Sequence, residues 1–353
     1  MARIDALLTY LKENGGSDLH LAAGLQPRVR VNGKIRTIED RETLSDESLR
    51  ELLNEITPPR SWAQYSTTHD LDFAYAIEGV ARFRVNYFVQ NRGAGAVFRI
   101  IPEEIKTLDD LNLNDAIASL ADLDQGLVLV TGPTGSGKST TLAAIVDRIN
   151  KTYAKHIVTI EDPVEFVHTN QNSTFSHREV RLHSTSFSAA LRSAIRQDAD
   201  IILVGEMRER ETIALAIEAA AMGMLVFGTL HTNGAAKTID RIIDTFPADE
   251  QNMIRVSLSE SLAGVVSQLL LPTRDGNGRC AVNEILLRSK GLSNVIREAN
   301  SQMIESIIQS GRSQGMQSMD DELFRLAKDG SINANDAYMK ANDKARFEPL
   351  SAA

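Results

Sequence analysis

The 353-residue chain has one cysteine, one tryptophan and only 5% aromatic residues. A lone thiol, Cys280, can neither close an internal disulfide nor build a thiolate zinc cluster, so an ordinary buried thiol in a reducing cytoplasm is expected. Long apolar runs are missing as well: nothing approaches the roughly 18 to 20 residues that span a bilayer. The opening MARIDALLTYLKENGG lacks the unbroken apolar stretch of a signal peptide. Ile4, Leu7, Leu8 and Leu11 instead recur at helical spacing among Arg3, Asp5, Lys12 and Glu13, which predicts an amphipathic helix. Positive charge is in deficit, with a net charge of −9, which argues against broad binding along a nucleic-acid backbone. Metal-ligand spacing is absent among His20, His69, His156, His168, His177 and His183, so these read as structural or surface residues and no zinc site is expected.

What is present suits a globular protein: 42% hydrophobic and 24% charged residues, in a chain long enough for two domains. Residues 1–108 read as an α+β domain. In PRVRVNGKIR, Val29 and Val31 alternate with Arg28 and Arg30 before Asn32-Gly33, a strong hairpin signal. VARFRVNYF places Ala81, Phe83, Val85 and Tyr87 on one strand face and Arg82 and Arg84 on the other. NRGAGA then reads as a turn into the strand VFRII, which carries Arg99. The stretch at about 102–123 is polar and acidic and predicts a linker. From 124 to 353 the texture changes. GLVLVTG, HIVTIED, ADIILVGE and MLVFGTLH are apolar strands between helical patterns, the rhythm of a mostly parallel sheet. Beyond His231 the expectation is helices, one further strand at CAVNEILL, and a frayed final dozen residues.

TGPTGSGKSTT carries the chemistry. Gly132, Gly137, Lys138 and Ser139 satisfy G-x-x-x-x-G-K-[ST] between a strand, GLVLVT, and a helix, TTLAAIVDRIN. Residues Gly132, Pro133, Thr134, Gly135, Ser136, Gly137, Lys138, Ser139 and Thr140 would form a loop around the phosphates of ATP at a helix N-terminus, all but Pro133 offering a backbone N–H. Lys138 would reach the β- and γ-phosphates and Ser139 would ligate Mg²⁺. Hydrolysis also needs groups that orient water and complete the metal shell. Two strand ends offer carboxylates: TIEDPVEF supplies Glu161, Asp162 and Glu165, and IILVGEMR carries Glu206 to the sheet edge where open α/β folds bind ligands. A third strand ends in His231, whose imidazole could bond a γ-phosphate or a carboxylate.

GPTGSGKSTT, IEDPVEFVH, ADIILVGEMRERETI and GTLHTNGAAKTIDRIID, in this order, resemble the Walker A, Asp-box, Walker B and His-box segments of the secretion-type ATPases, and within them the PilT-like retraction ATPases of type IV pili. SDLHLAAGLQPRVRVNG and ARFRVNYFVQNRGAGAVFRIIP extend the likeness over nearly the whole chain. The resemblance implies an N-terminal PAS-like α+β domain, a RecA-like P-loop ATPase domain with C-terminal helices, and a homohexamer binding ATP and Mg²⁺ at subunit interfaces. Carried onto this sequence, Glu165 is the water-activating base. Glu206 is the Walker B acid, acting on Mg²⁺ through water, His231 is a γ-phosphate sensor, and Arg84 and Arg99 reach nucleotide across the interface. GLSNVIRE is similar to the C-terminal signature of retraction motors, keeping Asn294, Ile296, Arg297 and Glu298, with Ser293 in place of an arginine. The implied setting is the cytoplasmic side of the inner membrane at the pilus base. The implied partners are a membrane platform protein and a paralogous retraction ATPase. A RecA-like nucleic-acid translocase, which would share the chemistry, and a pilus or secretion paralogue with an accessory role are the alternatives.

Overall fold

The computed structural model describes residues 2–31, 33–101 and 104–351. Two compact units make it up: the chain as far as Glu104 together with Asp162–Val167, and Ile105–Glu161 together with His168 onward.

In the first unit six strands form an antiparallel sheet: β1 (Gly16–Ala22), β2 (Arg28–Val31), β3 (Lys34–Thr37), β4 (Asp70–Ile77), β5 (Ala81–Gln90) and β6 (Gly93–Ile101). Their spatial order is β3-β2-β1-β6-β5-β4. The helix Asp5–Glu13 contributes Leu7, Leu8 and Leu11 to the core, joined by Ile4 just before it. Leu49, Leu52 and Leu53 of a second helix join Leu19, Phe83, Val85 and Tyr87 of the strands in the same cluster. Because successive strand residues point to opposite faces, burying Phe83 and Val85 puts Arg84 on the other side. Registration then sets Arg84 opposite Arg99 and Arg99 opposite Asp18, so all three share that face. Gly33 has the positive φ (77°) that the expected hairpin needs, while Asn32 lies outside the described residues. NRGAGA is less of a turn than expected, since β6 already begins at Gly93. Gly95 sits within the strand because a Cβ there would come 2.4 Å from the Phe88 ring.

The second unit holds β7 (Gly126–Thr131), β8 (His156–Glu161), β9 (Thr174–Glu179), β10 (Ile201–Val204), β11 (Leu225–Leu230), β12 (Leu262–Pro272) and β13 (Arg279–Leu287). Their order is β13-β12-β7-β11-β10-β8-β9, parallel at every neighbour except β12 with β13. Both faces are packed: Leu127 and Leu129 enter one cluster, Val128 and Val130 another. A strand buried on both sides is apolar throughout, which is why β7, β10 and β11 read as continuous hydrophobic runs. The expected α/β class, an antiparallel N-terminal sheet followed by a parallel-rich sheet with C-terminal helices, is what the chain adopts.

Two expectations need correction. The stretch LAGVVSQLLLP after His231 is strand β12, not helix. An unbroken apolar run carries no periodicity to separate the two, and its place between β7 and β13 decides the matter. Nor is the chain frayed up to Ser351: Phe347 is fully buried, edge-on to Phe324 at 5.7 Å, and the Arg346 guanidinium lies over the Phe324 ring. Ala352 and Ala353 lie outside the described residues, as do Pro102 and Glu103 of the expected linker.

Candidate functional site

Strand β7 is buried along its whole length and delivers the chain to a six-residue loop, after which Lys138 opens the helix Lys138–Thr152. Gly132, Gly135 and Gly137 all have positive φ, at 143°, 80° and 86°. Space imposes the same choice at two of them. A Cβ on Gly132 would lie 2.2 Å from the Gln268 carbonyl oxygen, and one on Gly137 would lie 2.8 Å from Gln268 Nε2. The Lys138 ammonium folds back over the loop, donating to the carbonyls of Gly132 at 2.8 Å and Pro133 at 3.0 Å. Ser136 Oγ is buried with no partner among the described residues, a polar atom left for a ligand of the loop.

Gln268 is a site residue that the sequence reading missed. Its Nε2 donates to the Ser136 carbonyl at 2.6 Å and its Oε1 accepts from Thr141 Oγ1 at 2.8 Å, clamping the loop to the first turn of the helix. The signal was a single amide in the apolar run VVSQLLL.

Glu206 stands two residues beyond β10 and His231 immediately after β11, so adjacent parallel strands bring them together. His231 Nε2 is 2.9 Å from Glu206 Oε1, and Arg208 pairs with the same oxygen. The main chain holds this edge: Met207 N–H donates to the Thr229 carbonyl at 2.9 Å, and the Thr229 hydroxyl donates to the Gly205 carbonyl. Just downstream, Gly234 N–H donates to Ser267 Oγ and Ala235 N–H to Glu284 Oε1, each at 2.7 Å. Burial pushes the Glu284 carboxyl above the usual range, opposed by N–H groups of Ala235 and Met319. This anchor for the helix that follows His231 left no legible trace in the sequence.

The remaining expected residues belong to the first unit. Arg99 Nε donates to Asp18 Oδ1 at 2.8 Å, and Arg30 Nε lies 3.7 Å from the other oxygen. Burial opposes ionisation of Asp18, but hydrogen bonds from Ser17 and Arg99 and the Arg99 charge outweigh it and hold the pKa below the usual value. Arg84 Nη1 is 3.9 Å from Glu165 Oε1, both side chains more than a third exposed. Thus Lys138, Ser139, Glu206 and His231 are in one unit, and Arg84, Arg99 and Glu165 in the other.

His168, where the chain re-enters the second unit after Val167, is buried and stacked 4.7 Å from Phe175. Its main-chain N–H donates to His177 Nε2 at 3.2 Å, and His177 Nδ1 is 2.9 Å from Thr159 Oγ1. Burial, with help from His177, pushes the His168 pKa down to about 4.

Ser139 and Glu206 offer hard oxygen donors of the kind Mg²⁺ takes. Among the described residues no three His, Cys, Asp or Glu side chains cluster as a metal cage, and this donor set fits an ion held mostly by phosphate oxygens and water. Nor is any described helix long and apolar enough to cross a membrane.

Residues 2–337 match the model of the type II/IV secretion system protein family. The chain is 48% identical over 344 residues to the type IV pilus retraction ATPase PilT of Pseudomonas aeruginosa, covering 98% of this chain and 99% of that one. It is 38% identical over 338 residues to the type IV pilus ATPase PilU of the same organism, covering 96% and 88%. A crystal structure of the pilus retraction motor PilT with bound ADP superposes with a TM-score of 0.91 at 40% identity, over 99% of each chain.

Proposed function

The chain belongs to the type II/IV secretion system protein family and is an ATPase, and we propose that it is a motor that retracts type IV pili. The observation that carries this reading is the phosphate loop, with glycines wherever a Cβ would collide and a lysine already folded over its carbonyls. Likeness to PilT and PilU over nearly the whole chain supports the choice of retraction.

ATP with Mg²⁺ supplies the γ-phosphoryl group and neutralises part of its charge. Residues Gly132 to Thr140 bind the phosphates, Lys138 exchanging loop carbonyls for phosphate oxygens, while Ser139 and Glu206 would hold the ion. Glu165 takes a proton from the attacking water, and His231, oriented by Glu206, senses the γ-phosphate. Arg84 and Arg99 of a neighbouring subunit stabilise the charge that develops in transfer. The assembly is a homohexamer at the cytoplasmic face of the inner membrane, peripheral to it, working on a platform protein alongside a paralogous ATPase and without nucleic acid. Hydrolysis changes the angle between the two domains of adjacent subunits, and Asn294 and Arg297 pass that change on.

Glu165→Gln keeps shape and removes basicity. It is expected to abolish turnover while ATP still binds, measured by phosphate release and nucleotide titration on the same sample. Hydrolysis within about threefold of wild type would remove Glu165 from the role of base.

A further inference from the structure

The helix Lys290–Arg297 has two unlike faces. Leu292 and Ile296 are 1% and 2% exposed and pack in the core with Val295 beside them. The stripe Lys290, Ser293, Asn294 and Arg297, at i, i+3, i+4 and i+7, points the other way. With Arg288 and Ser289 from the preceding turn, it lines an open cavity of about 500 Å³.

The lining is one-sided in chemistry. It holds three cations and no carboxylate, on a chain whose net charge is −9. The acceptors are already engaged. Asn294 Oδ1 accepts from Arg297, leaving the amide NH₂, and Ser289 Oγ accepts from Leu292 N–H at 3.1 Å, leaving its hydroxyl proton. The Ser293 hydroxyl proton goes to the Ser259 carbonyl at 2.8 Å. What faces the cavity is therefore mostly positive charge and hydrogen-bond donors, and the helix N-terminus beside Ser289 adds to the same potential.

The volume lies within the roughly 300–1,000 Å³ typical of ligand sites. Three cations exceed what one side-chain carboxylate can neutralise. Arginine offers a planar fork and lysine a point charge, the pairing that recognises phosphate oxygens. We propose that this cavity is a phosphate-binding site, separate from the phosphate loop, for a soluble phosphate compound or a phospholipid headgroup. The inference goes beyond the retraction reading and does not rest on it.

The test is calorimetric titration of inorganic pyrophosphate into the full chain with the phosphate loop saturated by ADP, comparing wild type with an Arg288→Ala/Lys290→Ala variant. Both positions are exposed, and an unchanged thermal midpoint checks that the variant folds. Expected is measurable binding that weakens at least about tenfold in the variant. Co-sedimentation with phosphatidylglycerol/phosphatidylcholine vesicles, against phosphatidylcholine alone, identifies the source: variant-sensitive binding to the anionic vesicles assigns a lipid headgroup, and variant-sensitive pyrophosphate binding alone assigns a soluble ligand. The proposal fails if neither probe binds, if the double variant binds as wild type does, or if a pentaglutamate peptide binds more tightly than pyrophosphate.

Discussion

The two units hold their charged residues in different ways. In the second, the Lys138 ammonium donates to two carbonyls of its own loop, those of Gly132 and Pro133. In the first, Arg99 is tied at 2.8 Å to a buried aspartate, whereas Arg84 faces a half-exposed glutamate at 3.9 Å. Two arginines that look alike in the sequence are thus held unequally: one is fixed by a carboxylate within its own sheet, the other is loosely held and free to reach a new partner. A surface pair at that distance contributes on the order of 0–1 kcal/mol, so exchanging it costs little.

The sharpest break of this comparison comes from Lys138→Ala and Arg84→Ala together. Lys138→Ala removes a direct cation and should weaken ATP binding at least about a hundredfold, read by nucleotide titration. Arg84→Ala should leave binding near wild type and lower turnover by about a thousandfold, the scale of an arginine supplied in trans. Mixing Arg84→Ala subunits with Glu165→Gln subunits should then recover part of the activity. No recovery in demonstrably mixed rings would place Arg84 outside any role across an interface.

A second prediction sets the chain's own connection between the units against acid. His168 is neutral in the fold, with a pKa pushed to about 4 from an ordinary 6.5. The unfolded chain therefore takes up its proton first as pH falls. The contribution of this residue to stability is complete above pH 6.5 and is lost as pH drops through 4, amounting to on the order of 3 kcal/mol. His168→Phe preserves the stacked ring against Phe175 and should flatten the pH dependence of the denaturation midpoint across that window. Asp18, with its pKa held below the usual carboxylate value, acts at lower pH and does not confound the reading. An unchanged slope would show that His168 is not what titrates.

The smallest expected effect tests the anchored arginine. Asp18→Asn keeps the shape but removes the charge that holds Arg99, and should lower turnover about tenfold with ATP affinity intact, as for a group aligned only at the transition state. Loss of stability with unchanged turnover would make the Asp18–Arg99 pair a packing feature alone.

Local chemistry carried much of this protein in its sequence. Glycine, lysine and serine spacing marked the glycine-rich turn between strand and helix because backbone conformation and helix termini are set by neighbouring residues. Alternation in ARFRVNYF set the faces of β5, and the apolar strands of the parallel sheet announced their own burial. Partners distant along the chain were another matter. Gln268 reaches the loop 132 residues before it in number, Glu284 pins a helix 49 residues away, and Asp18 finds Arg99 across 81. Strand β12 reads as well for helix as for strand until β7 and β13 flank it. Such pairings depend on sheet order and register, which are decided by the free energy of the whole packed core and have no counterpart in any short window of sequence.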